Sequence, residues 1–186
     1  MKLYFYGGSF DPPHLGHKQI INYFSKKSDK LLVVPTHTSP LKSIAPAKYS
    51  DRVKMLELML GKNISGNISI VDYELQSKTP YTVDLVKLLK LRFPLSEINM
   101  IIGCDQFNNI KKWKNYDYII ENIKISVVSR PNFKLKSDFC IDNYIEEISI
   151  DISSSFIRKN ITSLDMITHK MDQNVMNYII SNKLYL

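Results

Sequence analysis

The sequence predicts an α/β fold built on a parallel, doubly wound sheet. Short apolar runs alternate with amphipathic segments, the first run breaks at a glycine pair before a helical pattern, and no repeat, low-complexity stretch or linker interrupts the alternation. Leu3 to Tyr6 reads as the first strand, ending at Gly7-Gly8, and His14 to Phe24 carries apolar residues at helical spacing. Leu31 to Val34 is the second strand, followed by a proline-marked loop and an amphipathic helix over Tyr49 to Leu60, with Asp51-Arg52 in its first turn. Ile68 to Val71 predicts a third strand. Thr79-Pro80 opens the next helix, because proline at the first helical position loses no needed hydrogen bond, and Val83 to Leu91 continues it. Asn99 to Ile102 and Ile123 to Val128 read as two more buried strands, with a helix-like piece around Trp113 between them. Ile148 to Ile152 is expected as a last strand; Ser153-Ser154-Ser155 offers caps for a helix entered at Phe156-Ile157-Arg158, and Asn174 to Ile180 gives a terminal helix. The pattern is Rossmann-like, a single domain over residues 1–186 with about residues 150–186 as a helical part packed on it.

Composition narrows the class. The chain has 186 residues, 44% of them hydrophobic and 23% charged, ordinary globular usage with a length that buries a substantial core. No apolar run approaches the roughly 20 residues that span a bilayer, and a motif begins within a few residues of Met1, so neither a membrane segment nor a signal segment is expected. Cys104 and Cys140 are far apart without metal-ligand spacing, which reads as free thiols in a reducing compartment and places the protein in the cytoplasm. The net charge of +7 suits nucleic acid, an anionic surface or a small polyphosphate. Its lysines are scattered in pairs such as Lys26-Lys27 and Lys111-Lys112, without the interleaved aromatics of a stacking platform, so nucleic acid is not the expected partner. A homo-oligomer stays open.

In open α/β sheets the ligand lies beyond the carboxyl ends of the strands, where the first strand-to-helix turn directs N–H groups into a crevice. Gly7-Gly8-Ser9-Phe10-Asp11 occupies that turn, and Pro12-Pro13 stiffens it. In His14-Leu15-Gly16-His17 a spacing of three puts both imidazoles on one face of the first helical turn, and Gly16 removes a side chain that would crowd a ligand. Histidines so placed can donate to a triphosphate, whose charge favours their protonation. They can also be metal ligands with His37 or His169 as a third, although no spacing points that way, or simply surface or helix-capping residues. No protein metal site is expected.

The stretch Gly7 to His17 closely resembles the opening motif of bacterial-type nicotinate mononucleotide adenylyltransferases, in the nucleotidyltransferase superfamily, of which the superfamily at large shares only the His-x-Gly-His core. Further matches follow in order: Pro80-Tyr81-Thr82-Val83-Asp84, Ile102-Gly103-Cys104-Asp105 with Trp113 downstream, Val128-Ser129-Arg130-Pro131, and Ile152-Ser153-Ser154-Ser155-Phe156-Ile157-Arg158. The resemblance implies adenylyl transfer from ATP to nicotinate mononucleotide, giving deamido-NAD and pyrophosphate. It implies ATP contacts from Gly7, Gly8, Ser9, Phe10, His14, His17, Gly103, Asp105, Arg130, Ser153, Ser154, Ser155 and Arg158. Asp105 would accept from the ribose, the alternative for it being a helix N-cap. Ser9, Phe10, Lys42, Thr82 and Trp113 would meet the mononucleotide, with Trp113 stacked on the pyridine. Two departures stand out: Ser39-Pro40-Leu41-Lys42 has leucine where the family has histidine, and Leu85 replaces a common threonine.

The expected mechanism is in-line attack of the mononucleotide phosphate on the α-phosphorus, without a covalent intermediate or a general base. His14, His17, Lys42 and Arg158 would neutralise developing charge together with Mg²⁺ carried by ATP. Rival readings are preference for nicotinamide mononucleotide, another small-molecule transferase such as phosphopantetheine adenylyltransferase, and a non-catalytic nucleotide sensor.

Overall fold

The computed structural model describes residues 1–37, 47–73, 81–131, 133–136, 141–146, 148 and 151–186. Its centre is a sheet of six parallel strands in the order β3-β2-β1-β4-β5-β6. These are β1 (Lys2–Gly8), β2 (Lys30–Pro35), β3 (Ile68–Ile70), β4 (Glu97–Gly103), β5 (Lys124–Val128) and β6 (Asn143–Ile145). Order reverses between β1 and β4, which places a topological switch point where Gly7-Gly8 and Gly103 end their strands. The doubly wound fold is therefore present as the sequence predicts.

Alternation along each strand divides the interior into two layers, since successive side chains point to opposite faces. Leu3 and Phe5 of β1, Leu32 and Val34 of β2, and Met100 and Ile102 of β4 bury with α3 (Thr82–Arg92) and α5 (Tyr116–Asn122). Tyr4, Leu31, Val33 and Ile101 bury on the other face. There they meet α1 (Leu15–Ser25), α2 (Tyr49–Leu60), α6 (Ser154–Lys159), α7 (Leu164–Ile167) and α8 (Gln173–Ser181). Ile157, Ile167, Val175 and Ile179 of those last helices share one apolar cluster with Ile21 and Met55, so the C-terminal helices are an integral part of this layer. Among the described residues no helix is long and apolar enough to cross a membrane.

One expectation is corrected. Among the described residues the last strand is β6, at Asn143–Ile145, which pairs with β5; Ile148, Asp151 and Ile152 are in no strand, and Ser149 and Ile150 lie outside the described residues. Ile148 and Ile152 are apolar because they pack into the helical layer, so their pattern reported burial without pairing. The helix-like piece around Trp113 is present, as a 3₁₀ turn at Ile110–Lys112 with Trp113 as its C-cap, followed by α5. Thr79-Pro80 lies outside the described residues.

Candidate active site

The turn after β1 is shaped by close packing. A Cβ on Gly8 would approach the Phe10 ring to 3.1 Å, so glycine is what allows Phe10 to fold back over the strand end. Phe10 itself is buried and holds φ 49°, a left-handed conformation that costs a bulky residue on the order of 1 kcal/mol or more. Its ring meets that of His17 edge-on at 4.9 Å.

His14 is the N-cap of α1 and His17 is the third residue of the helix, and they cap each other. The His17 backbone N–H donates to His14 Nδ1 at 3.4 Å, and the His14 N–H donates to His17 Nδ1 at 3.2 Å. The capping reading of the pair is thus correct, and it has a chemical consequence. A ring nitrogen that accepts a hydrogen bond carries no proton, so in each neutral imidazole the proton sits on Nε2, which is a donor. The rings stack at 3.7 Å, and burial, aided by the nearby Arg130 cation, pushes His14 down to about 3. The expected anion-favoured protonation therefore does not describe His14 in this state: it is a neutral donor at a helix N-terminus, where backbone N–H groups supply the positive field.

Across the switch point, Asp105 follows β4 in the first turn of α4 (Cys104–Phe107). Gly103, not Asp105, is the N-cap, so the capping alternative for Asp105 fails. Its carboxylate accepts from Arg130 Nη1 at 2.8 Å, and a Cβ on Gly103 would stand 2.7 Å from Asp105 Oδ1. Gly103 is thus the clearance that lets this ion pair form beside the strand end. Arg130 lowering the His14 pKa places the pair within electrostatic reach of the histidines.

The C-terminal helices reach the same loop. Arg158 Nη1 donates to the Asp11 carbonyl at 2.5 Å and Nη2 to Ser155 Oγ at 3.4 Å. Ser154 Oγ donates to the Pro12 carbonyl at 2.9 Å, while Ser153 Oγ accepts from the Phe156 N–H and caps α6. The three serines therefore have three different jobs, one of them the ordinary cap. Tyr185 donates to the buried Asp11 carboxylate at 2.6 Å, and burial together with that acceptor pushes its hydroxyl pKa up, keeping it a donor.

Thr82 and Trp113 form a second group. Thr82 opens α3, and Lys114 Nζ sits 4.3 Å from the centre of the Tyr81 ring, joining the start of α3 to the Trp113 segment. Trp113 is half-buried with its Nε1 enclosed and unpartnered. Lys42 and Cys140 lie outside the described residues; Cys104 is a buried free thiol. Among the described residues no cluster of three His, Cys, Asp or Glu side chains could hold a metal.

Sequence reasoning missed Arg52, Asp11 and Tyr185. Arg52 is 1% exposed and donates to the carbonyls of Ser9, Thr36, His37 and Ala47. The signal was available: Arg52 stands on the buried stripe of α2 with Met55, Leu56 and Met59, at helical spacing.

Comparisons with known proteins place the chain in a family. Residues 5–160 match the cytidylyltransferase-like family model. A probable nicotinate-nucleotide adenylyltransferase of Chlorobium phaeobacteroides is 33% identical over 201 aligned positions, covering 100% of both chains. The nicotinate-nucleotide adenylyltransferase of Bacillus subtilis is 30% identical, covering 99% of this chain and 98% of that one. The fold is shared with the Plasmodium falciparum nicotinic acid mononucleotide adenylyltransferase complexed with NaAD, at a TM-score of 0.85 and 23% identity over 99% of this chain and 97% of that one. With the family model matching most of the chain and relatives 30–33% identical over its whole length, the chain belongs to the nicotinate-nucleotide adenylyltransferases of the cytidylyltransferase-like family.

Proposed function

We propose that this chain transfers the adenylyl group of ATP to nicotinate mononucleotide, forming deamido-NAD and pyrophosphate. The observation that carries the reading is the reciprocal cap of His14 and His17. It fixes both rings, each with Nδ1 as acceptor and Nε2–H as donor, beside a helix N-terminus at the switch point, a setting suited to a polyphosphate. A mononucleotide phosphate oxygen attacks the α-phosphorus in line, a new P–O bond forms, and the bond to the pyrophosphate oxygen breaks with both electrons leaving on pyrophosphate. The attacking phosphate is already an anion, so no residue need remove a proton. The chain's own task is to position the two nucleotides and to offset charge on the pentacoordinate centre.

In this reading His14 and His17 hold the ATP phosphates. Asp105 accepts from the adenosine ribose beside Arg130. Arg158, anchored on the Asp11 carbonyl, adds fixed positive charge. Gly7, Gly8, Ser9, Phe10 and Gly103 line the nucleotide path, Ser154 and Ser155 support the phosphate end, and Trp113 and Thr82 receive the pyridine with Lys42. Magnesium enters as the ATP complex, neutralising phosphate charge and keeping most of its waters. The names of the relatives favour the acid mononucleotide over the amide, and the cytoplasm is the proposed compartment. Incubating the protein with Mg-ATP and nicotinate mononucleotide should yield deamido-NAD by chromatography. His17→Ala should lower turnover by about a hundredfold or more, the scale of losing one transition-state donor, while lost capping costs only about 1 kcal/mol of stability. A folded His17→Ala protein with wild-type turnover would remove the phosphate role from this pair.

A further inference from the structure

We propose that Arg52 is a positioning residue for the mononucleotide half of the site, an inference that rests on the function proposed above. Its guanidinium is buried at 1% exposure, and every hydrogen bond described for it ends on a backbone carbonyl. Nη1 donates to Ser9 at 2.6 Å and to Thr36 at 2.8 Å, Nη2 to His37 at 3.4 Å, and Nε to Ala47 at 3.3 Å. These carbonyls belong to three places: the turn after β1, the end of β2, and the approach to α2. A planar fork with five N–H donors can hold them in one arrangement, and a single ammonium cannot span them.

The link continues sideways. The Arg52 guanidinium lies 5.5 Å from the centre of the Tyr49 ring, Tyr49 stacks on His37 at 3.6 Å, and His37 Nε2 lies 2.9 Å from Asp72 Oδ2. Asp72 follows β3, so one buried cation and a ring stack tie together the carboxyl-end turns of β1, β2 and β3. That is one side of the switch point. Past it, after β4 and β5, stand Asp105 and Arg130, assigned to adenosine, and Trp113, assigned to the pyridine. Arg52 bears on the mononucleotide through Ser9, which the family resemblance gives to it as well as to ATP, whereas the ATP contacts His14, His17, Asp105 and Arg158 receive none of the hydrogen bonds described for Arg52; its cation also adds positive charge beneath a turn that an anionic phosphate must approach.

A structural strut alone would lower stability and leave the two substrates equally affected. A positioning role splits them. Arg52→Lys keeps the charge and loses the fork; the expected result is a KM for nicotinate mononucleotide raised about tenfold or more, with the KM for ATP changed less than about threefold. The direct binding readout is the fluorescence of Trp113, the one tryptophan, titrated with nicotinate mononucleotide: the apparent Kd should rise by the same factor while circular dichroism stays that of the wild type. Equal shifts for both substrates, or no shift in a folded Arg52→Lys protein, would overturn the inference. Should Arg52→Lys fail to fold, Tyr49→Leu decides, since it removes the stacked ring and spares the buried hydrogen bonds. A rise of a few fold confined to the mononucleotide supports the role, and none overturns it. Wild-type protein that turns over neither mononucleotide in the same assay would refute the function reading instead.

Discussion

Because His14 is buried as a neutral ring, stability should fall with acid in a way that a non-titrating cap abolishes. Its pKa is about 6.5 in the unfolded chain and about 3 in the folded one, lowered first by burial and second by Arg130. Between those values the unfolded state binds a proton that the folded state refuses, so the contribution is complete above about pH 6.5 and is lost as pH falls toward 3. From pH 7 to pH 4.5 the linkage amounts to about 2.5 kcal/mol, a sizeable share of a domain's total stability. Urea unfolding of wild type and His14→Asn at both pH values tests it, since asparagine is a good N-cap without a titrating ring. Wild type should lose about 2.5 kcal/mol more than His14→Asn over that interval. Equal losses would mean that the histidine is not held neutral, and the argument for an Nε2–H donor would fall with it.

Other consequences are as specific. Gly103→Ala places a Cβ 2.7 Å from Asp105 Oδ1, so the carboxylate that pairs with Arg130 must shift. Calorimetry should find ATP binding weakened by about tenfold, with mononucleotide binding retained; unchanged ATP affinity would separate Asp105 from the adenosine. Tyr185→Phe removes the 2.6 Å donor from a carboxylate that is only 3% exposed. The expected loss is about 1–3 kcal/mol in urea unfolding, and an unmoved midpoint would show that the C-terminal segment does not brace the Asp11 turn.

How much of this was legible in the sequence depends on whether a residue's partners are local. The strands β1, β2, β4 and β5 were readable because buried parallel strands are continuous apolar runs, and α2 was placed at Tyr49 to Leu60 by its amphipathic spacing. β6 was not readable: it has three residues, none fully buried, and pairs only with β5, so its sequence Asn143-Tyr144-Ile145 carries little strand signal. The histidine pair was legible as a constellation, yet its reciprocal capping, and hence its tautomer, came only with the backbone geometry. Arg158 was singled out from its motif, whereas its anchor on the Asp11 carbonyl joins positions 147 residues apart. Arg52 had a local signal in its place on an apolar stripe, but its four carbonyl acceptors lie in segments no spacing rule connects.

The most direct test of the central claim is the initial rate of pyrophosphate release from Mg-ATP by the purified protein, measured in parallel with nicotinate mononucleotide and with nicotinamide mononucleotide. The account predicts release that depends on the mononucleotide and is faster with the acid. Faster release with the amide would move the reaction to direct NAD synthesis, and release with neither would contradict adenylyl transfer to a pyridine mononucleotide.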